Sequence, residues 1–215
     1  TIKTQDGLVD KEEIAGYKFD RTVEENNGDR SHHYNKLKLL FQDESGAKIK
    51  ESGDVANANN PGEISGYKFL RVDTDSNGNK VAVYHKLITK FVGHDGSTES
   101  TIKTQDGLID KEEIAGYKFD RTAEENNGDR SHHYNKLKLL FQDESGAKIK
   151  ESGDVANANN PGEISGYKFL RVYTDSNGNK VAIYHKLITK FVSHDGNTES
   201  TIKTQDGLVD KEEIA

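Results

Sequence analysis

Residues 101–200 repeat residues 1–100 with six exceptions: Val9/Ile109, Val23/Ala123, Asp73/Tyr173, Val83/Ile183, Gly93/Ser193 and Ser97/Asn197. Residues 201–215 open a third copy. Inside the 100-residue period lies a weaker one of 50, free of gaps. Glu13, Ile14, Gly16, Tyr17, Lys18, Phe19, Arg21, Asn27, Gly28, Tyr34, Lys36, Leu37 and Phe41 return as Glu63, Ile64, Gly66, Tyr67, Lys68, Phe69, Arg71, Asn77, Gly78, Tyr84, Lys86, Leu87 and Phe91. A fixed period of this length implies an array of small units, each burying its own apolar face, because one large domain has no reason to repeat its phrases. Composition agrees. With 32% hydrophobic and 31% charged residues and a mean hydropathy of −0.88, the chain carries apolar material for several small cores and not for one large one.

The unit reads as β structure. In "GYKFDRTVEENNGDRSHHYNKL" two alternating runs flank Asn27-Gly28, a strong hairpin signal, which recurs at Asn77-Gly78. Asn-Gly carries that signal because both residues tolerate positive φ. Tyr17 and Phe19 fall on one face and are core candidates. "KLKLLFQDESGAKIKE" and "KLITKFVGHDGSTESTIKT" each read as an apolar strand, a Gly turn and a polar return, so a second hairpin is expected. Between hairpins, "DGLVDKEEIAG" and "ANANNPGEISG" suggest a short helical turn ending at Gly, with Asp10 or Asn60 as its cap. Units opening at "KLLF" or "ITKF" span 37–86, 87–136 and 137–186, leaving 1–36 and 187–215 as partial units. The conservative exchanges Val9/Ile109 and Val83/Ile183 point inward. Asp73/Tyr173 and Ser97/Asn197 point outward.

Several residues resemble a known family. Lys90–Gly96 ("KFVGHDG"), Ile114–Phe119 ("IAGYKF"), Asn127-Gly128 and His133–Leu137 ("HYNKL") together look like the MucBP-type repeats of Gram-positive surface adhesins, streptococcal or lactobacillar. The resemblance implies a mainly β, β-grasp-like α+β module with short helices, repeated in tandem as an elongated rod. It also implies an extracellular, cell-wall-anchored setting supplied by regions outside this segment. It does not by itself imply mucin binding.

Composition narrows the chemistry. The absence of Cys excludes disulfides, thiolate metal sites and Cys nucleophiles. A net charge of −7 and a pI near 5.6 oppose a nucleic-acid partner. No apolar run reaches the roughly 20 residues that span a bilayer, so no membrane insertion is expected. Residues 1–10 lack a signal-peptide core and read as the interior of a longer protein.

"DTDSNGNK", Asp73–Lys80, resembles the opening of a calcium loop, but its twelfth position is Tyr84 and the second copy replaces the first ligand with Tyr173. His32 and His33 are adjacent strand residues pointing to opposite faces, and His85 and His94 lack partners at chelating spacing. Glu12, Glu13, Glu24 and Glu25 read as a solvated face, since acid/base work needs an enclosed cleft. No G-x-S-x-G elbow presents a nucleophile to the Ser, His and Asp residues. A Lys-to-Asn isopeptide bond from Lys18 or Lys36 to Asn35 lacks a buried acid to catalyse it.

The expectation is a non-enzymatic stalk that projects a binding head from a cell wall. It has no catalytic, cofactor or metal residues, and its partners are neighbouring repeats of the same chain. The alternative is a multivalent module of low affinity for host mucin glycans or glycoproteins.

Overall fold

The computed structural model describes residues 1–211. The first strands form a hairpin, β1 (Tyr17–Glu24) with β2 (Arg30–Lys36). Three four-stranded sheets follow. The first holds β3 (Lys38–Asp43), β4 (Lys48–Asp54), β5 (Tyr67–Thr74) and β6 (Lys80–Lys86). The second holds β7 (Ile88–Asp95), β8 (Thr98–Asp106), β9 (Tyr117–Glu124) and β10 (Arg130–Lys136). The third holds β11 (Lys138–Asp143), β12 (Lys148–Asp154), β13 (Tyr167–Thr174) and β14 (Lys180–Lys186). A final hairpin joins β15 (Ile188–Asp195) and β16 (Thr198–Asp206). The fold is mainly β, built of similar sheets in tandem. Contacts divide the chain into two compact units: Thr1–Phe91 with Lys103–Asp110 and Thr122–Ser131, and Val92–Ile102 with Lys111–Arg121 and His132 onward.

Each four-stranded sheet has one strand order, represented by β4-β3-β6-β5. Two antiparallel hairpins flank a central parallel pair in which Leu39 lies opposite Lys80 and Phe41 opposite Ala82. The third sheet repeats this register, with Leu139 opposite Lys180. This is a β-grasp-like order. The crossover between the hairpins is short, so its helix shrinks to a 3₁₀ turn at Val55–Asn59, repeated at Val155–Asn159.

The core follows from the central pair. Leu39, Phe41, Ala82 and Tyr84 are buried together under Ile49, Ala58, Ile64, Tyr67 and Val72. Leu139, Phe141, Ala182 and Tyr184 repeat the arrangement. A buried phenol needs a partner. Tyr84 Oη donates to the Gly62 carbonyl at 2.7 Å and Tyr184 Oη to Gly162 at 2.7 Å, while Tyr34 and Tyr134 reach the carbonyls of Glu12 and Glu112 at 2.7 and 2.8 Å. The recurring Tyr thus ties the irregular segment to the sheet.

The recurring "I-x-G-Y" is a turn. The Ile14 carbonyl accepts from Tyr17 N–H at 3.0 Å, Gly16 takes φ 78°, and the Gly16 carbonyl accepts from Leu37 N–H at 2.8 Å. Only Gly occupies that φ without strain.

Two sequence expectations are corrected, while the hairpin at Asn27-Gly28 forms through a wide loop: Glu24 pairs with Arg30, and Gly28 is at positive φ while Asn27 is not. Asp29 N–H is held instead by the Asn27 side chain, and Glu25 N–H by the Asp29 carbonyl, which closes a wider turn. Among the described residues the helical turn forms only in the "DVANAN" segments, capped at its start by Asp54 through Ala56 N–H; Asn60 lies at its C-terminal end. Around Asp10 and Asp110 there is no helix, since that segment gives its carbonyls to Tyr34 and Tyr134 instead. Val9 and Ile109 are exposed, whereas Val83 and Ile183 are buried. Of the aromatic pair, Tyr17 and Phe19 are both half-buried, while Phe69 and Phe169, the equivalents of Phe19, are exposed.

Candidate functional site

Only Leu37 separates β2 from β3, so a strand of one sheet runs directly into a central strand of the next. Such a connection leaves no Gly- or Ser-rich linker to swivel. A fixed set of contacts surrounds it. Lys18 Nζ donates to the Ser76 carbonyl at 3.0 Å, and Lys38 N–H donates to Asn79 Oδ1 at 3.0 Å. A Cβ on Gly78 would lie 3.3 Å from Leu37 Cδ2. The turn after β5 is therefore clamped on the crossover that precedes β3.

The clamp recurs. Lys68 Nζ donates to the Asn126 carbonyl at 2.9 Å beside Leu87 and Gly128, and Lys118 Nζ to the Ser176 carbonyl at 3.1 Å beside Leu137 and Gly178. Polarity alternates between the copies. In the Leu37 and Leu137 clamps Asn79 and Asn179 accept from Lys38 and Lys138 N–H. In the Leu87 clamp Asp129, 2% exposed, accepts from Ile88 N–H at 3.0 Å. His85 Nε2 lies 2.9 Å from the same carboxylate, and its Nδ1 lies 2.5 Å from Glu44. Hydrogen bonds to Glu44 first and Asp129 second raise the His85 pKa. Burial alone would raise that of Asp129, but Ile88 N–H, His85 and Asn127 outweigh it and hold the carboxyl below its ordinary value.

The residues singled out in the sequence are placed as follows. Asp75 Oδ1 accepts from Asn77 and Asn79 N–H at 2.9 and 2.8 Å, and Asp73 pairs with Arg71, so these carboxylates serve the hairpin. Lys18 lies opposite Asn35 in the β1–β2 register, yet its amine turns to Ser76. Lys36 lies opposite Tyr17. Glu24 pairs with Arg30, Glu25 accepts from Ser31, and Glu12 pairs with Lys3. They line no common cleft.

His32 and His33 take opposite faces, with His32 Nε2 2.9 Å from the Val9 carbonyl. In the second copy this division brings together residues that sequence spacing does not. His94 Nε2 on β7 lies 2.8 Å from His133 Nδ1 on β10, with the rings stacked 5.1 Å apart at 27°. Glu99 Oε1 on β8 lies 3.5 Å from His94 Nε2 and 3.9 Å from His133 Nδ1. The two His are 39 residues apart. The signal that finds them is the strand order: once the first and last strands of a unit are parallel neighbours, positions 94 and 133 share a face.

A shallow recess of about 470 Å³ opens beside Phe41, lined by Lys50, Glu51, Gly53, Asn57, Asn60 and Pro61. It recurs beside Phe141. Lys50 Nζ sits 4.0 Å over the Phe41 ring and covers its face.

Residues 87–136, the interval that contains β7 to β10, match the SSSPR-51 domain family. No curated protein sequence matches the chain.

Proposed function

We propose that the chain is a non-enzymatic repeat region of a bacterial cell-surface adhesin, extracellular and anchored through other regions, that acts as an extended stalk for a separate binding head. The observation that carries this reading is the clamp: three one-residue crossovers, each locked by a Lys amine and a Gly-bearing turn. Repetition of a joint that lacks a linker serves reach and orientation, and small open units offer little enclosure for catalysis. The partners are neighbouring repeats of the same chain. Small-angle scattering tests the proposal. A compact globule of this length has a radius of gyration near about 17 Å, whereas units adding roughly 25 Å each give at least about 25 Å and a long-tailed distance distribution. A symmetric distribution near the globular value would defeat the stalk.

The duplicated recess beside Phe41 and Phe141 favours a second reading, a multivalent module of low affinity for host mucin glycans or glycoproteins. Micromolar or tighter adhesion of this segment alone to mucin would place that reading first.

A further inference from the structure

We propose that His94, Glu99 and His133 form a binding site for a divalent transition-metal ion of the zinc type. Two imidazole nitrogens and one carboxylate oxygen converge from three strands, separated by 2.8, 3.5 and 3.9 Å. Ligands at about 2.0–2.2 Å from a tetrahedral ion stand about 3.3–3.6 Å from one another. The carboxylate already meets that spacing to within a few tenths of an ångström, and the two nitrogens need to part by about 0.5 Å to admit the ion. Two nitrogens hydrogen-bonded to each other share one proton, so one of them already presents a lone pair, and an ion replaces the shared proton.

Burial suits the role. The His94 and His133 side chains are 16% and 12% exposed, and Glu99 is 60% exposed. The imidazoles are held by the sheet while the carboxylate side stays open to a water as fourth ligand. Nitrogen donors select against hard cations such as calcium. The site also belongs to one type of sheet: the positions equivalent to 94 and 133 are Glu44 and Val83 in the first four-stranded sheet, and Glu144 and Ile183 in the third. His33 and His194 are the same residue types in the terminal hairpins, where His194 faces Glu199 at 3.6 Å with no second His in reach among the described residues. An ion at His94 would join β7, β8 and β10 through their side chains. The inference stands whether or not the chain is a stalk.

Calorimetric titration of the full chain with zinc chloride should show one ion bound per chain and none with calcium chloride. His94→Gln and His133→Gln should each weaken zinc binding by more than about tenfold, since even outer-shell changes cost that much, and His194→Gln should leave it unchanged. A measurement on the unaltered protein guards against loss of fold in a variant: zinc should shift the imidazole resonances of His94 and His133 and spare those of His85 and His185. Absence of binding at ~100 µM free zinc, equal affinity in the His94 and His133 variants when folded, or zinc shifts at other His would each overturn the proposal.

Discussion

Gly28 and Gly128 occupy the same loop position at φ 90° and 94°, but their surroundings differ. A Cβ on Gly28 meets nothing within 4 Å, whereas on Gly128 it would lie 2.9 Å from Lys68 Cδ and 3.1 Å from Leu87 Cδ2. Gly28→Ala should therefore cost only backbone strain, about 1–2 kcal/mol. Gly128→Ala should cost measurably more, since it also wedges the clamp. Denaturant titration of both variants decides the point, and equal costs would show that the clamp tolerates an opening. Tyr84 offers a second test at this scale. Tyr84→Phe removes the hydrogen bond between the buried Tyr84 phenol and the carbonyl of the exposed Gly62 and should cost about 0.5–1.5 kcal/mol, lowering the denaturation midpoint; an unchanged midpoint would mean that water replaces the phenol. The Gly of "I-x-G-Y" and the recurring Tyr were legible from the repeat, because both answer to local rules of φ and of hydrogen bonding. The partner of each Tyr was not legible, since a carbonyl 22 residues away leaves no mark on composition.

Between elements, the alternation of Asn79 and Asp129 makes one clamp respond to pH. His85 is raised in the folded state, so its contribution is complete below its unfolded value of about 6.5 and is lost as pH rises through the raised value. Asp129 is lowered, so its contribution is present above an unfolded value of about 4 and is lost as acid passes through the lowered value. The Leu87 clamp is thus tightest between about pH 4 and 6.5. The melting temperature should fall from pH 6 to pH 9 more steeply in the native chain than in the double variant His85→Asn/Asp129→Asn, which converts this clamp to the chemistry of its neighbours. Parallel pH profiles would contradict the assignment. At this scale the hairpins were readable from alternation and Gly turns. A helical turn was expected in both linkers and forms at Val55–Asn59 but not around Asp10, because the two linkers carry similar polar residues and the difference lies in Asp54, whose carboxylate reaches Ala56 N–H. The His94–His133 pair was invisible for a related reason. It depends on which strands become neighbours, and periodicity within a strand carries no information on that.

At the scale of the molecule, the repeat announced tandem units, and what it left open was how a chain enters and leaves each one. Entry is at Leu37 into β3 and exit from β6 at Leu87, and these two strands are the parallel neighbours at the centre of the sheet. Parallel strands put the start of one and the end of the other at opposite ends of the pair. Tension along the chain therefore drags β3 and β6 past each other in shear, and their row of hydrogen bonds bears the load together. In the antiparallel β5–β6 hairpin, Tyr67 lies opposite Lys86, so pulling on those two residues would peel bonds one at a time. Because the chain has no Cys, single thiols introduced as handles can set the pulling axis. Handles at 37 and 87 should rupture in one step at higher force than handles at 67 and 86, releasing about 50 residues and a length on the order of 150 Å. Equal rupture forces along the two axes would rule out load sharing. A pull on the chain would then meet, at β3–β6 and again at β11–β14, the direction in which the hydrogen bonds must all fail at once.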